Sequence, residues 1–121
     1  MATILVVEDS ADTRQMMTDL LESIGHTVLE AADGLEGVRA AISQPPDLII
    51  LDLMMPTAAG DTTLTFMRGT PGLTNIPVLV VSAHADVERI SRNAGADSWL
   101  AKPISLEELR RRIDMLLKKK A

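Results

Sequence analysis

Leu48-Ile49-Ile50-Leu51-Asp52 decides the fold: four aliphatic residues in unbroken succession, then an acid. A run this short and continuous fits a strand covered on both faces, which in a small protein generally means a parallel sheet with helices on each side. The pattern recurs along the chain. Ile4-Leu5-Val6-Val7 leads into Glu8-Asp9, Val78-Leu79-Val80-Val81 ends in Ser82, and Ser98-Trp99-Leu100-Ala101 ends in Lys102. Every run hands over to a polar group at the same end, so neighbouring parallel strands would gather Glu8, Asp9, Asp52, Ser82 and Lys102 on one rim.

The segments between these runs read as helices. From Ser10 to Ile24, apolar residues recur at Met17, Leu20, Leu21 and Ile24, the spacing of one helical face, and Gly25 follows where a C-terminal cap belongs. His26-Thr27-Val28-Leu29-Glu30 is a further strand. Leu35, Val38 and Ile42 then stand at helical spacing before Pro45-Pro46 forbids continuation. Gly60 to Arg68, Ala85 to Asn93 and Ser105 to Lys120 supply three more helical patterns, the last with Leu106, Leu109, Ile113, Leu116 and Leu117 on one side. The reading is α/β, a doubly wound parallel sheet of five strands alternating with five helices.

Composition narrows the function. The 121 residues suit one domain, 46% hydrophobic and 24% charged, with no internal repeat. No apolar stretch is long enough to span a bilayer and the first residues lack a signal peptide's pattern, so a cytoplasmic protein with no membrane partner is expected. The absence of cysteine excludes disulfides, thiolate metal sites and cysteine nucleophiles, and two separated histidines make a poor zinc site. A net charge of -5 argues against direct nucleic-acid binding. The one basic run, Lys118-Lys119-Lys120, complements a helix C-terminus.

Singly, each rim residue has an ordinary structural explanation. Asp9 or Ser10 could cap the first helix, Asp52 could be a turn residue before Pro56, Lys102 a loop cation and Ser82 the start of a turn. Together they point to chemistry. Two carboxylates about 4 Å apart repel by roughly 4 kcal/mol at an effective dielectric near 20, so three would be gathered only around a cation. Carboxylates, carbonyls and water suit a hard ion, and few protein ligands favour magnesium, which shares its shell with phosphate. An aspartate beside such an ion can attack phosphorus to give an acyl phosphate, with a lysine on one phosphoryl oxygen and a serine hydroxyl on another.

Val7-Glu8-Asp9, Asp52-Leu53-Met54-Met55-Pro56 followed by Gly60, Ser82-Ala83 and Lys102-Pro103 stand in the order and separations of a known set. Across essentially its whole length the chain resembles the receiver domain of two-component response regulators, the chemotaxis regulators included. The resemblance implies a flavodoxin-like sheet ordered 2-1-3-4-5 and a single receiver domain over residues 1–121, with no effector domain. It further implies that Asp52 accepts a phosphoryl group from the phosphohistidine of a sensor histidine kinase or histidine phosphotransfer protein. Glu8, Asp9, Asp52 and the backbone carbonyl of Met54 would hold Mg2+, while Ser82 and Lys102 hold the phosphate. Lys102-Pro103 is expected to be cis. Such a domain modifies itself but turns over no external metabolite. A phosphorylation-independent interaction module on the same scaffold is the alternative.

The same resemblance makes Ser82 and Trp99 the switch pair. Tryptophan stands where the family usually has a smaller aromatic residue or histidine whose orientation tracks phosphorylation; otherwise it is a half-buried core residue. Met54 and His84 occupy places that border the path of attacking water. Output is expected through the face of the fourth helix, fifth strand and fifth helix, toward a downstream protein or a phosphorylation-dependent homodimer. The loop Pro56-Thr57-Ala58-Ala59-Gly60 lacks the acid often found before that glycine.

Overall fold

The structure is a computed structural model that describes residues 1–54 and 60–120, excepting the side chains of Lys119 and Lys120. Residues 55–59, on which most of the segment from Pro56 to Gly60 falls, therefore lie outside the described residues. Strands β1 (Thr3–Val7), β2 (Thr27–Ala31), β3 (Leu48–Leu51), β4 (Val78–Ser82) and β5 (Ser98–Ala101) alternate with helices α1 (Ala11–Ser23), α2 (Gly34–Ser43), α3 (Gly60–Arg68), α4 (Val87–Ala94) and α5 (Leu106–Lys120). The strands form one sheet ordered β2-β1-β3-β4-β5, and every pairing is parallel.

Continuous aliphatic runs become strands here because both faces are covered. Along β1 and β3, Ile4, Val6, Leu48 and Ile50 face one core with Met17 and Leu21 of α1 and Leu109, Ile113 and Leu116 of α5. Their neighbours Leu5, Val7, Ile49 and Leu51 face the other, with Val38 and Ala41 of α2, Leu64 and Met67 of α3 and Val87 of α4. The period-2 alternation of strand side chains thus feeds two separate cores.

Helix ends follow their caps. Ser10 Oγ accepts from Thr13 N–H at the start of α1 and Asp33 Oδ1 from Glu36 N–H at the start of α2. Gly25 closes α1 at φ 98°. The expected apolar face of α2 is corrected: Leu35 and Ile42 are exposed, at 55% and 56%, and the buried stripe is Gly34, Gly37, Val38 and Ala41. The cause is a close approach at Gly37, where a Cβ would stand 2.8 Å from Val7 Cγ2. Small residues seat α2 on the sheet and turn the larger ones outward. Leu106 is likewise corrected to an exposed position at the start of α5.

Chain order places the site. β1 is followed by β2 on one side and β3 on the other, so the connections leaving the carboxyl ends of β1 and β3 diverge, and a crevice opens between them. Val7 lies level with Leu51 and Asp52 N–H donates to Val7 O at 3.1 Å, which sets Asp52 beside Glu8. Lys102 N–H donates to Ser82 O, carrying the lysine to the same edge.

Candidate functional site

Glu8 and Asp9 follow β1, Asp52 follows β3, and one carboxylate oxygen of each lies within 4.8 Å of the others. Glu8 and Asp52 are nearly buried, at 5% and 6% exposure, and Asp9 is exposed. Lys102 Nζ reaches between the two buried acids, 3.0 Å from Glu8 Oε1 and 3.2 Å from Asp52 Oδ2. The remaining oxygens are also occupied: Glu8 Oε2 accepts from Ser10 N–H at 3.2 Å and Asp52 Oδ1 from Met54 N–H at 3.0 Å. Asp9 accepts no hydrogen bond from the described residues.

Burial is the largest influence on Glu8 and raises its carboxyl above the ordinary range; the charge of Asp52 adds to this, against the Lys102 and Ser10 hydrogen bonds. For Lys102 burial acts the other way, toward the neutral amine, but the Glu8 hydrogen bond and the two carboxylate charges prevail and its ammonium is strengthened. One ammonium against three carboxylates leaves the pocket anionic. The donor set is entirely oxygen, its charge suits a divalent ion, and Asp9 offers an open carboxylate toward solvent. These residues fit magnesium, which keeps several waters and takes few protein ligands.

The other expected residues divide. Ser82 ends β4, wholly buried, and its Oγ accepts from His84 N–H at 3.2 Å; that hydroxyl makes no hydrogen bond to the side chain of Asp52 or Lys102. Met54 is exposed beside Asp52. His84 precedes α4 and accepts from Asp86 N–H through Nδ1 at 3.0 Å. Trp99 is away from the acids: half-buried on β5, it packs toward the α4 side of the sheet, with the Arg92 guanidinium 5.3 Å from its ring centroid. The Lys102-Pro103 bond is cis, as expected.

Two residues gain importance that spacing did not give them. Gly60, noted only as part of a pattern, opens α3 against the backbone that carries Asp52: a Cβ there would stand 2.1 Å from the Asp52 carbonyl oxygen. Arg14 carries no sequence signal, yet its Nη1 donates to the Glu8 carbonyl at 2.7 Å.

Comparison with known proteins agrees with this geometry. The response regulator receiver domain family matches residues 4–114. The DNA-binding dual master transcriptional regulator RpaA of Synechocystis is 34% identical over 121 residues, covering 98% of this chain; the chain spans 50% of RpaA's length. Among solved structures, chemotaxis protein CheY4 of Vibrio cholerae superposes with a TM-score of 0.89 at 31% identity, covering 96% of this chain and 98% of that one. The receiver domain of sensor histidine kinase PA1611 from Pseudomonas aeruginosa, solved with a magnesium ion coordinated in its active site cleft, gives 0.89 at 29% identity over 97% of this chain and 98% of that one. No helix among the described residues is long and apolar enough to cross a membrane. With the family match running from the first strand into the last helix and the same fold recovered in solved receivers, this chain belongs to the response regulator receiver domains of two-component signalling.

Proposed function

We propose that the chain is a phosphorylation-controlled signalling module in which Asp52 accepts a phosphoryl group from the phosphohistidine of a sensor histidine kinase or a histidine phosphotransfer protein. One observation carries this reading: Asp52 is nearly buried, flanked by two further carboxylates, and paired with a single ammonium at 3.2 Å. A structural aspartate does not need that company.

In the reaction an Asp52 carboxylate oxygen attacks phosphorus as the donor's P–N bond breaks. The bond electrons leave with the imidazole nitrogen, and an acyl phosphate remains on Asp52. Glu8, Asp9, Asp52 and the Met54 carbonyl are the residues to hold magnesium, which when bound neutralises phosphoryl oxygen charge. Lys102 supplies a second positive charge and moves from the carboxylates onto a phosphoryl oxygen. Ser82 Oγ accepts from His84 N–H and so keeps its own hydrogen to donate.

The modification is self-limited: the domain catalyses its own phosphorylation and dephosphorylation and turns over no metabolite. A new dianion on Asp52 draws Ser82 toward it and biases the face of α4, β5 and α5. Trp99 lies on that face. Its contact with Arg92 is worth about 0.5–1 kcal/mol, small beside the roughly 5.5 kcal/mol needed to invert a 1:99 population, so Arg92 does not lock the ring. The partner is a downstream protein or a second copy of the domain, in the cytoplasm.

Incubation with magnesium and acetyl phosphate tests the reading by intact mass. The parent is expected to gain one phosphate and Asp52→Asn none. A parent that never gains mass would instead be a phosphorylation-independent interaction domain.

A further inference from the structure

We propose that Arg14 is a positioning residue that aims Asp9 at the magnesium site by clamping the peptide between Glu8 and Asp9; the inference rests on the proposed function above. The four acidic and basic groups of the rim are held unequally. Glu8 is fixed at four points: its N–H donates to Ala31 O at 3.0 Å, its carboxylate takes Ser10 N–H and Lys102 Nζ, and its carbonyl takes Arg14 Nη1 at 2.7 Å. Asp52 is held by Met54 N–H, Lys102 and its own N–H on Val7 O. Asp9 has none of this. Its carboxylate is exposed and accepts no hydrogen bond from the described residues, so its direction is inherited from the backbone that carries it.

The Glu8 carbonyl belongs to the rigid peptide unit that ends at the Asp9 Cα. Holding that carbonyl fixes one end of the unit, and the Ala31 bond fixes the residue behind it. Arg14 is itself anchored: Nε donates to Glu30 Oε1 at 3.1 Å, and its side chain is only 19% exposed. The planar fork lets one guanidinium bind Glu30 on β2 and the carbonyl after β1 at once. Glu30 also offsets a cation that would otherwise repel an incoming metal.

Two roles for Arg14 predict opposite signs. A bystander cation near an anionic pocket weakens metal binding, so removing it should tighten the site. A positioning residue should loosen the site when removed, and outer partners of metal ligands typically contribute about 10- to 100-fold in affinity.

The test is a calorimetric Mg2+ titration of the full chain, the parent against Arg14→Met, which keeps the apolar stem, and Arg14→Lys, which keeps the charge but not the fork. Urea denaturation verifies that each variant is folded at the start. Arg14→Met is expected to lose about 10-fold in Mg2+ affinity, with Arg14→Lys between it and the parent. The Asp9 amide nitrogen shift, which reports hydrogen bonding at the Glu8 carbonyl, should move in the same order without metal. Should Arg14→Met not fold, Arg14→Lys decides alone: affinity below the parent supports positioning and unchanged affinity overturns it. A folded Arg14→Met that binds Mg2+ as tightly as the parent, or more tightly, overturns the inference while leaving the proposed function standing. A parent that binds no Mg2+ overturns both.

Discussion

At the scale of single residues, Asp52 depends on neighbours notable for what they lack. Gly60 has no Cβ, and its N–H donates to Leu53 O at 3.1 Å while its Cα side faces the Asp52 carbonyl. Gly60→Ala would put a methyl group 2.1 Å from that oxygen and 2.7 Å from Leu53 Cα, both backbone atoms with little room to yield. The expected cost is about 1–3 kcal/mol, with slower phosphate uptake because the loop carrying Asp52 must move; an alanine variant matching the parent in urea midpoint and uptake would refute it. Met54 lacks a polar group. Exposed beside Asp52, it would present an apolar chain to water approaching the acyl phosphate proposed there. Replacing it with asparagine is expected to speed phosphate loss several-fold, and an unchanged decay of the phosphorylated mass would count against a shielding role. The sequence showed the acids, the lysine and the serine because their spacing is a pattern of side chains. Arg14 acts on a backbone carbonyl, and no side-chain pattern records such a contact.

Among the elements, α4 has the fewest buried residues of the five helices. Its buried residues are Val87 and Ser91, and the Ser91 hydroxyl is fully buried without a hydrogen-bond partner among the described residues. Asp86 precedes it without a side-chain capping bond, and its ion pairs, Arg89 with Asp86 and Arg92 with Glu88, are exposed. Such pairs contribute about 0–1 kcal/mol, whereas a buried unpaired hydroxyl costs about 1–3 kcal/mol. Amides of α4 should therefore exchange with solvent faster than those of α5, which seats Leu109, Ile113 and Leu116 in the core. Ser91→Ala is expected to stabilise the protein by about 1 kcal/mol in urea and to slow that exchange. Equal protection in the two helices would contradict the argument. Weak periodicity also explains what was hard to read. The five strands were legible to within a residue or so, because unbroken aliphatic runs have few other uses in a chain this short. For α2, Leu35, Val38 and Ile42 shared a helical spacing as well as Gly34, Gly37, Val38 and Ala41 did. The choice between those faces was settled by the 2.8 Å approach to Val7, a tertiary fact.

For the molecule as a whole, folding concentrates negative charge at one end of the sheet, and pH is the lever that exposes this. Glu8 titrates above its ordinary 4.5 in the folded chain, mainly through burial. The folded state then holds its proton more tightly than the unfolded state, so Glu8 contributes stability fully below 4.5 and loses it as pH rises through the folded value. Lys102, raised above 10.5, keeps its contribution throughout the neutral range and loses it only in stronger alkali. His26 works in the opposite direction to Glu8. Burial and the N-terminal charge lower it below 6.5, and its Nδ1 accepts Ala2 N–H at 3.2 Å, so its contribution is full above 6.5 and is lost as pH falls. Parent stability alone mixes the two. Glu8→Gln keeps His26 and a carbonyl oxygen for Lys102 but removes the carboxyl, so the stability difference between parent and variant isolates Glu8. With a chelator present, the parent's advantage should shrink, or its deficit grow, as pH rises from about 4 to about 7. Magnesium should reverse that trend, since a ligand at 100 times its Kd adds about 2.7 kcal/mol and competes best once the proton has left. A parent-to-variant difference that stays flat across this range, with and without magnesium, would mean that Glu8 neither resists ionisation in the fold nor answers to the metal.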